Sequence, residues 1–241
     1  MIAFLTSSPC VYGAPRAILN PENDFETNLR SCLPSRNIRC LFITSAPDDA
    51  AFTDRVAEEM AACFAEAGFE FSKVYTLDRR NQDDAQLLIW KSDLILLAGG
   101  HVPTQNAFFQ EIGLKTLLQN YQGVVIGISA GTMNAADRVY VQPEEAGESA
   151  PEFPRFLEGL GITDINVLPH YQMVKDHDLD GRRLYEDITF ADSWGECFYV
   201  FVDGTYLLIE DGQTTLYGQA YRLSDGVMEQ ISELGDIVLI E

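Results

Sequence analysis

The sequence is short of basic residues, histidines, cysteines and long apolar runs, and each shortage removes a class of function. Sixteen Lys and Arg stand against thirty-seven Asp and Glu in 241 residues, a formal charge of −21. Such a surface repels phosphate backbones and anionic lipid, so neither nucleic acid nor a membrane is expected as a partner. No apolar run reaches the length of a membrane span. Met1 to Leu5 is apolar but lacks a basic flank, and it reads as a first strand rather than a signal peptide. Five cysteines (Cys10, Cys32, Cys40, Cys63 and Cys197) contain no C-x-x-C pair, and an odd count argues against a disulfide framework. A reduced, cytoplasmic protein is expected. The three histidines (His101, His170 and His177) are too sparse for a structural zinc site, so no metal and no cofactor are expected.

What is present is a repeating pattern of short apolar runs alternating with helix-like segments. Cys40 to Thr44, Phe71 to Leu77 and Leu94 to Ala98 read as strands, as does Gly123 to Ile126. Between them, Asp49 to Ala67 carries Phe52, Val56, Met60 and Phe64 at four-residue spacing, with Asp48 or Asp49 as N-cap. Asp84 to Trp90 and Thr104 to Asn120 are further helices, the latter with Ile112 and Leu117 facing a core. Strands this apolar, separated by helices, predict a mainly parallel sheet covered on both faces. After Glu196, short strand-like runs are separated by Asp203-Gly204, Asp211-Gly212 and Asp225-Gly226, which predicts an antiparallel extension of the same sheet. The length suits one domain spanning residues 1–241. Gln142 to Pro154 reads as a long acidic surface loop.

The chemistry concentrates at Gly127-Ile128-Ser129-Ala130-Gly131, directly after the fourth apolar run. A serine on a sharp strand-to-helix turn between glycines presents its hydroxyl clear of the backbone. The amide of Ala130 then sits at a helix start, where it can stabilise an oxyanion. A serine needs a base, and His170 follows an apolar run closed by Pro169, which places it at a strand end on the reactive edge. His177 lies in the polar segment Lys175 to Asp178 and reads as surface. Gly99 and Gly100, at another strand end, fit the second half of an oxyanion hole, with His101 as a substrate contact. For the carboxylate that orients the histidine, Glu144, Glu145 and Asp203 all remain open.

These elements resemble the peptidase E (aspartyl dipeptidase) and cyanophycinase family of serine peptidases. The matching parts are the Leu94-to-Gly100 strand and turn, the elbow around Ser129, and Leu168-Pro169-His170-Tyr171, within roughly residues 38 to 210. The resemblance implies an α/β three-layer sandwich similar to class I glutamine amidotransferases and a serine mechanism through an acyl-enzyme. It implies hydrolysis of short peptides, and leaves a homodimer as one arrangement open to the chain. It also implies an acidic orienter between serine and histidine, which selects Glu144, then Glu145, with Asp203 as runner-up. Two features depart from the family. The glycine turn here runs Ala98-Gly99-Gly100-His101-Val102-Pro103-Thr104, and no arginine lies in a matched motif to attract an N-terminal aspartate. A binding or regulatory protein that keeps the fold is the alternative, followed by a carboxylesterase; the serine at 129 argues against glutamine amidotransfer, which needs cysteine there.

Overall fold

The computed structural model describes residues 1–240. The first five strands are β1 (Ile2–Thr6), β2 (Ile38–Ile43), β3 (Phe71–Leu77), β4 (Leu94–Leu97) and β5 (Val124–Ile128). Two short strands, β6 (Arg138–Tyr140) and β7 (Phe156–Glu158), pair with each other, and β8 (Asn166–Leu168) follows. A small hairpin joins β9 (Asp178–Leu179) to β10 (Arg182–Arg183). The last six strands are β11 (Cys197–Phe201), β12 (Tyr206–Glu210), β13 (Gln213–Tyr217), β14 (Ala220–Ser224), β15 (Val227–Ser232) and β16 (Ile237–Ile240).

The main sheet has eight strands in the order β16-β13-β12-β1-β5-β4-β2-β3. Its half from β1 to β3 is parallel throughout, and its other half is antiparallel. Because side chains alternate along a strand, the central strands are apolar on both faces. Phe4, Cys40, Phe42, Leu96 and Ile126 face α1 (Phe25–Cys32) and α2 (Ala50–Glu66). Leu41, Ile43, Ile95, Leu97 and Val125 face α3 (Ala85–Lys91), α4 (Val102–Glu111) and α5 (Leu114–Leu118). Each such buried side chain contributes about 1.5–3 kcal/mol of transfer free energy. The predicted three-layer arrangement with a class I glutamine amidotransferase-like sheet is the one observed.

Several local expectations change. Asp49 is the N-cap of α2, accepting from the N–H of Phe52 at 2.9 Å, but Thr53 and Ala57 are more deeply buried than Phe52 and Val56. Their small side chains let the helix lie close to the sheet. The predicted helix from Thr104 to Asn120 is two helices, interrupted where Gly113 takes a positive φ of 65°. The helix after Ser129 is a single turn, α6 (Ala130–Met133).

The C-terminal strands do not all extend the main sheet. β12, β13 and β16 do, whereas β11 joins a second, four-stranded sheet in the order β15-β14-β11-β8. Asp211-Gly212 and Asp225-Gly226 turn true antiparallel hairpins, β12 to β13 and β14 to β15. Asp203-Gly204 instead carries the chain from the small sheet across to the main one. An apolar layer of Ala3, Leu5, Val167, Phe201, Leu207 and Leu216 cements the two sheets. β8, which precedes His170, therefore lies in the small sheet rather than beside β5.

Candidate active site

The elbow is built by close approach. Ser129 ends β5 with φ 51° and ψ −110°, a conformation that costs a non-glycine residue about 1–3 kcal/mol and needs surrounding structure to hold it. That support comes from its N–H, which reaches the carbonyls of Thr6 and Ser7, both at 3.1 Å. A Cβ on Gly131 would sit 2.3 Å from the carbonyl oxygen of Leu97, and one on Gly127 would sit 2.8 Å from Oγ1 of Thr132. The two glycines are thus required because α6 presses against β4 and back onto its own strand. Thr132 Oγ1 donates to Thr6 O and Thr6 Oγ1 donates to Gly127 O, each at 2.8 Å, which locks the turn to β1.

The glycine loop after β4 comes up beside the serine. A Cβ on Gly99 would be 3.4 Å from Cβ of Ser129, and Gly100 has φ 145° with Ser45 Oγ packed where a side chain would stand. The N–H groups of Ala130 and Gly100 have no hydrogen-bond partner among the described residues. A buried amide network holds this loop in place. Gln105 Nε2 donates to Ala98 O at 2.7 Å, Asn134 Nδ2 donates to Gln105 Oε1 at 3.1 Å, and Asn106 Nδ2 donates to Asn134 Oδ1 at 2.9 Å. All three amides are buried, where a satisfied polar network fixes geometry. Sequence reasoning passed over them, because polar residues in a helical pattern look like surface.

His170 leaves β8 in a left-handed conformation, φ 60°. Its Nδ1 donates to Oδ1 of Asp203 at 2.7 Å, and its backbone N–H donates to Oγ of Ser7 at 2.8 Å. Ser7 Oγ in turn donates to the same Asp203 oxygen at 2.7 Å. The N–H of Asp203 donates to Oε1 of Gln172 at 3.2 Å. Burial pushes the Asp203 carboxyl up, but hydrogen bonds from His170, Ser7 and Gln172 and the field of His170 outweigh it and hold its pKa below the usual carboxylate range. In the sequence the one signal for Ser7 is its place just past the carboxyl end of β1, which ends at Thr6.

Ser129 and His170 line one cleft of about 270 Å³, with Gly100, Met133, Glu144 and His177 among its other walls. His177 is therefore part of the cleft rather than a remote surface residue. Glu144, first choice as orienter, stands exposed at the mouth and makes no side-chain hydrogen bond to His170 among the described residues. Partial dehydration, then the charges of Glu148 and Glu145, push its carboxyl up, against the pull of His101 and His170. The structure brings Asp203, not Glu144 or Glu145, to the histidine ring, because the crossing between β11 and β12 starts out beside His170.

His101 does not line the cleft. Its Nε2 donates to Oε1 of Glu148 at 2.8 Å and its Nδ1 pairs with Thr104 Oγ1 at 2.7 Å. Glu148 Oε2 accepts from the N–H groups of Glu144 and Glu145, at 2.8 and 3.0 Å. These bonds hold the Glu148 carboxyl below its ordinary value despite partial burial. His101 thus ties the glycine loop to the acidic loop. His101, Glu145 and Glu148 bring potential ligand atoms within 4.8 Å of one another, but Glu148 is engaged at both oxygens by these internal bonds.

A serine on a strand-to-helix turn, at the carboxyl edge of a sheet of this topology, defines an α/β protein of the class I glutamine amidotransferase-like fold. The chain belongs to peptidase family S51, whose profile matches residues 17–217. A peptidase from an acI-B1 Actinobacterium has the same fold, with a TM-score of 0.62 at 16% identity over 99% of this chain and 96% of that one. A candidate peptidase E protein from Listeria monocytogenes EGD-e gives 0.61 at 16% identity over 96% and 98%. No curated protein matches the chain. Among the described residues no helix is long and apolar enough to cross a membrane.

Proposed function

We propose that this chain is a serine-type exopeptidase that hydrolyses short peptides through an acyl-enzyme. The observation that carries the reading is the His170–Asp203 bond of 2.7 Å at a histidine sharing a cleft with the strained Ser129. With Nδ1 committed to Asp203, Nε2 is the nitrogen left to accept a proton. Ser129 Oγ attacks the scissile carbonyl as His170 takes its proton, and Asp203 holds the ring and stabilises its charged form. The N–H groups of Ala130 and of Gly100 or Gly99 receive the oxyanion. His170 then protonates the leaving amine, and water, activated by the same ring, releases the acyl group.

Asp203 is the orienting acid in this reading, in place of Glu144. The cleft of about 270 Å³, walled by the acidic loop at Gln142, Pro143 and Glu144, favours a short substrate. Five free thiols favour a cytoplasmic setting.

The test is labelling of the native protein with a fluorophosphonate, alongside hydrolysis of a panel of dipeptidyl reporters. Ser129 takes the label, while Ser129→Ala and His170→Ala abolish turnover. A folded protein that neither labels nor cleaves any reporter overturns the reading and leaves a binding protein on the same fold.

A further inference from the structure

The segment after β1 that carries Ser7 also brings two thiols together outside the cleft lining. Sγ of Cys10 lies 3.8 Å from Sγ of Cys63, and no other pair of sulfur atoms comes within hydrogen-bond reach among the described residues. Cys10 is half-buried, just past β1, whereas Cys63 is buried in α2 beneath the main sheet. The hydrogen bond from Cys63 favours the Cys10 thiolate and draws its pKa down, against burial and the charge of Asp203. The same contact, with burial, pushes the Cys63 thiol up. One sulfur is therefore the better nucleophile and reachable from solvent, and the other is sheltered behind it.

We propose that Cys10 and Cys63 form a peroxide-responsive pair that closes to a reversible disulfide. The Cys10 thiolate attacks one oxygen of hydrogen peroxide; the S–O bond forms, the O–O bond breaks, and hydroxide leaves with the Cys10 proton as water. Sγ of Cys63 then attacks the Cys10 sulfenic sulfur, the S–S bond forms, the S–O bond breaks, and a second water carries off the Cys63 proton. The two thiols lose two electrons and peroxide gains them. Closure shortens the sulfur separation from 3.8 Å to about 2.05 Å, through a small shift of the segment held by the Cys10–Leu19 bridge. The disulfide staples α2 to the loop that bears Ser7.

The experiment exposes the reduced native protein to a few equivalents of hydrogen peroxide, blocks remaining thiols with iodoacetamide, and maps peptides without reduction. The expected product is a Cys10–Cys63 cross-linked peptide pair, lost on treatment with dithiothreitol and absent from Cys10→Ser and Cys63→Ser. In Cys63→Ser, a dimedone adduct accumulates on Cys10. Cys10 left fully alkylatable while the exposed Cys197 oxidises overturns the proposal, as does a cross-link from Cys10 to any other cysteine. Both readouts are independent of peptidase activity.

Discussion

His170 and Asp203 meet at 2.7 Å, Nδ1 to Oδ1, although 33 positions separate them in the chain. The first residue ends a strand of the small sheet, and the second begins the crossing into the large one. Removing the acid while keeping its shape tests its role. Asp203→Asn lowers kcat/KM by about 10³–10⁴-fold, the scale for an orienting carboxylate in other serine hydrolases. Glu144→Gln, by contrast, leaves the rate of Ser129 labelling within about threefold, since a lost surface-type contact costs well under 1 kcal/mol.

The same carboxyl makes stability depend on pH. Its folded pKa is lowered, so its contribution is complete above the ordinary aspartate value of about 3.9 and vanishes as the pH falls through the lowered value. The melting temperature of the native protein therefore exceeds that of Asp203→Asn at pH 6, and the gap narrows towards pH 3. A gap that is constant or widens in acid contradicts the assignment.

Ser7 joins Asp203 and His170 through one hydroxyl, donating to the carboxylate and accepting from the His170 backbone N–H. Ser7→Ala removes both bonds at a fully buried site, a loss of about 1–3 kcal/mol. We expect kcat to fall about tenfold or more with a smaller change in KM, and the acid limb of the pH profile to move upward as Asp203 loses a donor. Ser7→Thr, which keeps the hydroxyl, restores part of the rate. An unchanged pH profile would reduce Ser7 to a packing role.

Gly131 sets a limit of a different kind. A Cβ there meets the Leu97 carbonyl oxygen at 2.3 Å and its carbonyl carbon at 2.7 Å, backbone of a central strand that cannot swing aside. Gly131→Ala destabilises the fold by about 3 kcal/mol or more, read as a lower urea midpoint. Gly147→Ala, in open space on the acidic loop but at φ 94°, loses less because only local strain is added.

The charge of the cleft bears on substrate choice. Among the described residues no Lys or Arg lines it, and Glu144 is its one carboxylate. Reporters with an N-terminal Lys or Ala are cleaved at least about tenfold faster in kcat/KM than the Asp counterpart, a difference of about 1.4 kcal/mol. Glu144→Gln narrows that ratio. A preference for Asp would place an unrecognised cation at the cleft.

Much of this molecule was written locally. Apolar runs of strand length, glycines around Ser129 and the histidine after Pro169 each act over a few residues, where backbone sterics and hydrophobic periodicity decide the outcome. The parallel half of the sheet, the elbow and the choice of His170 as the candidate base could be read from those patterns. Which carboxylate reaches His170 could not, because Glu144, Glu145 and Asp203 are equivalent as residues and differ only in where the chain carries them. Asp203-Gly204 has the sequence of a hairpin turn, yet the apolar layer between the sheets makes it a crossing and delivers its carboxylate to the ring. Other long-range contacts brought the Ser7 hydroxyl to the His170 N–H, tied His101 to Glu148, and set Cys10 against Cys63. Those contacts depend on how two sheets and their covering helices stack, a long-range balance of burial that no short stretch of sequence encodes.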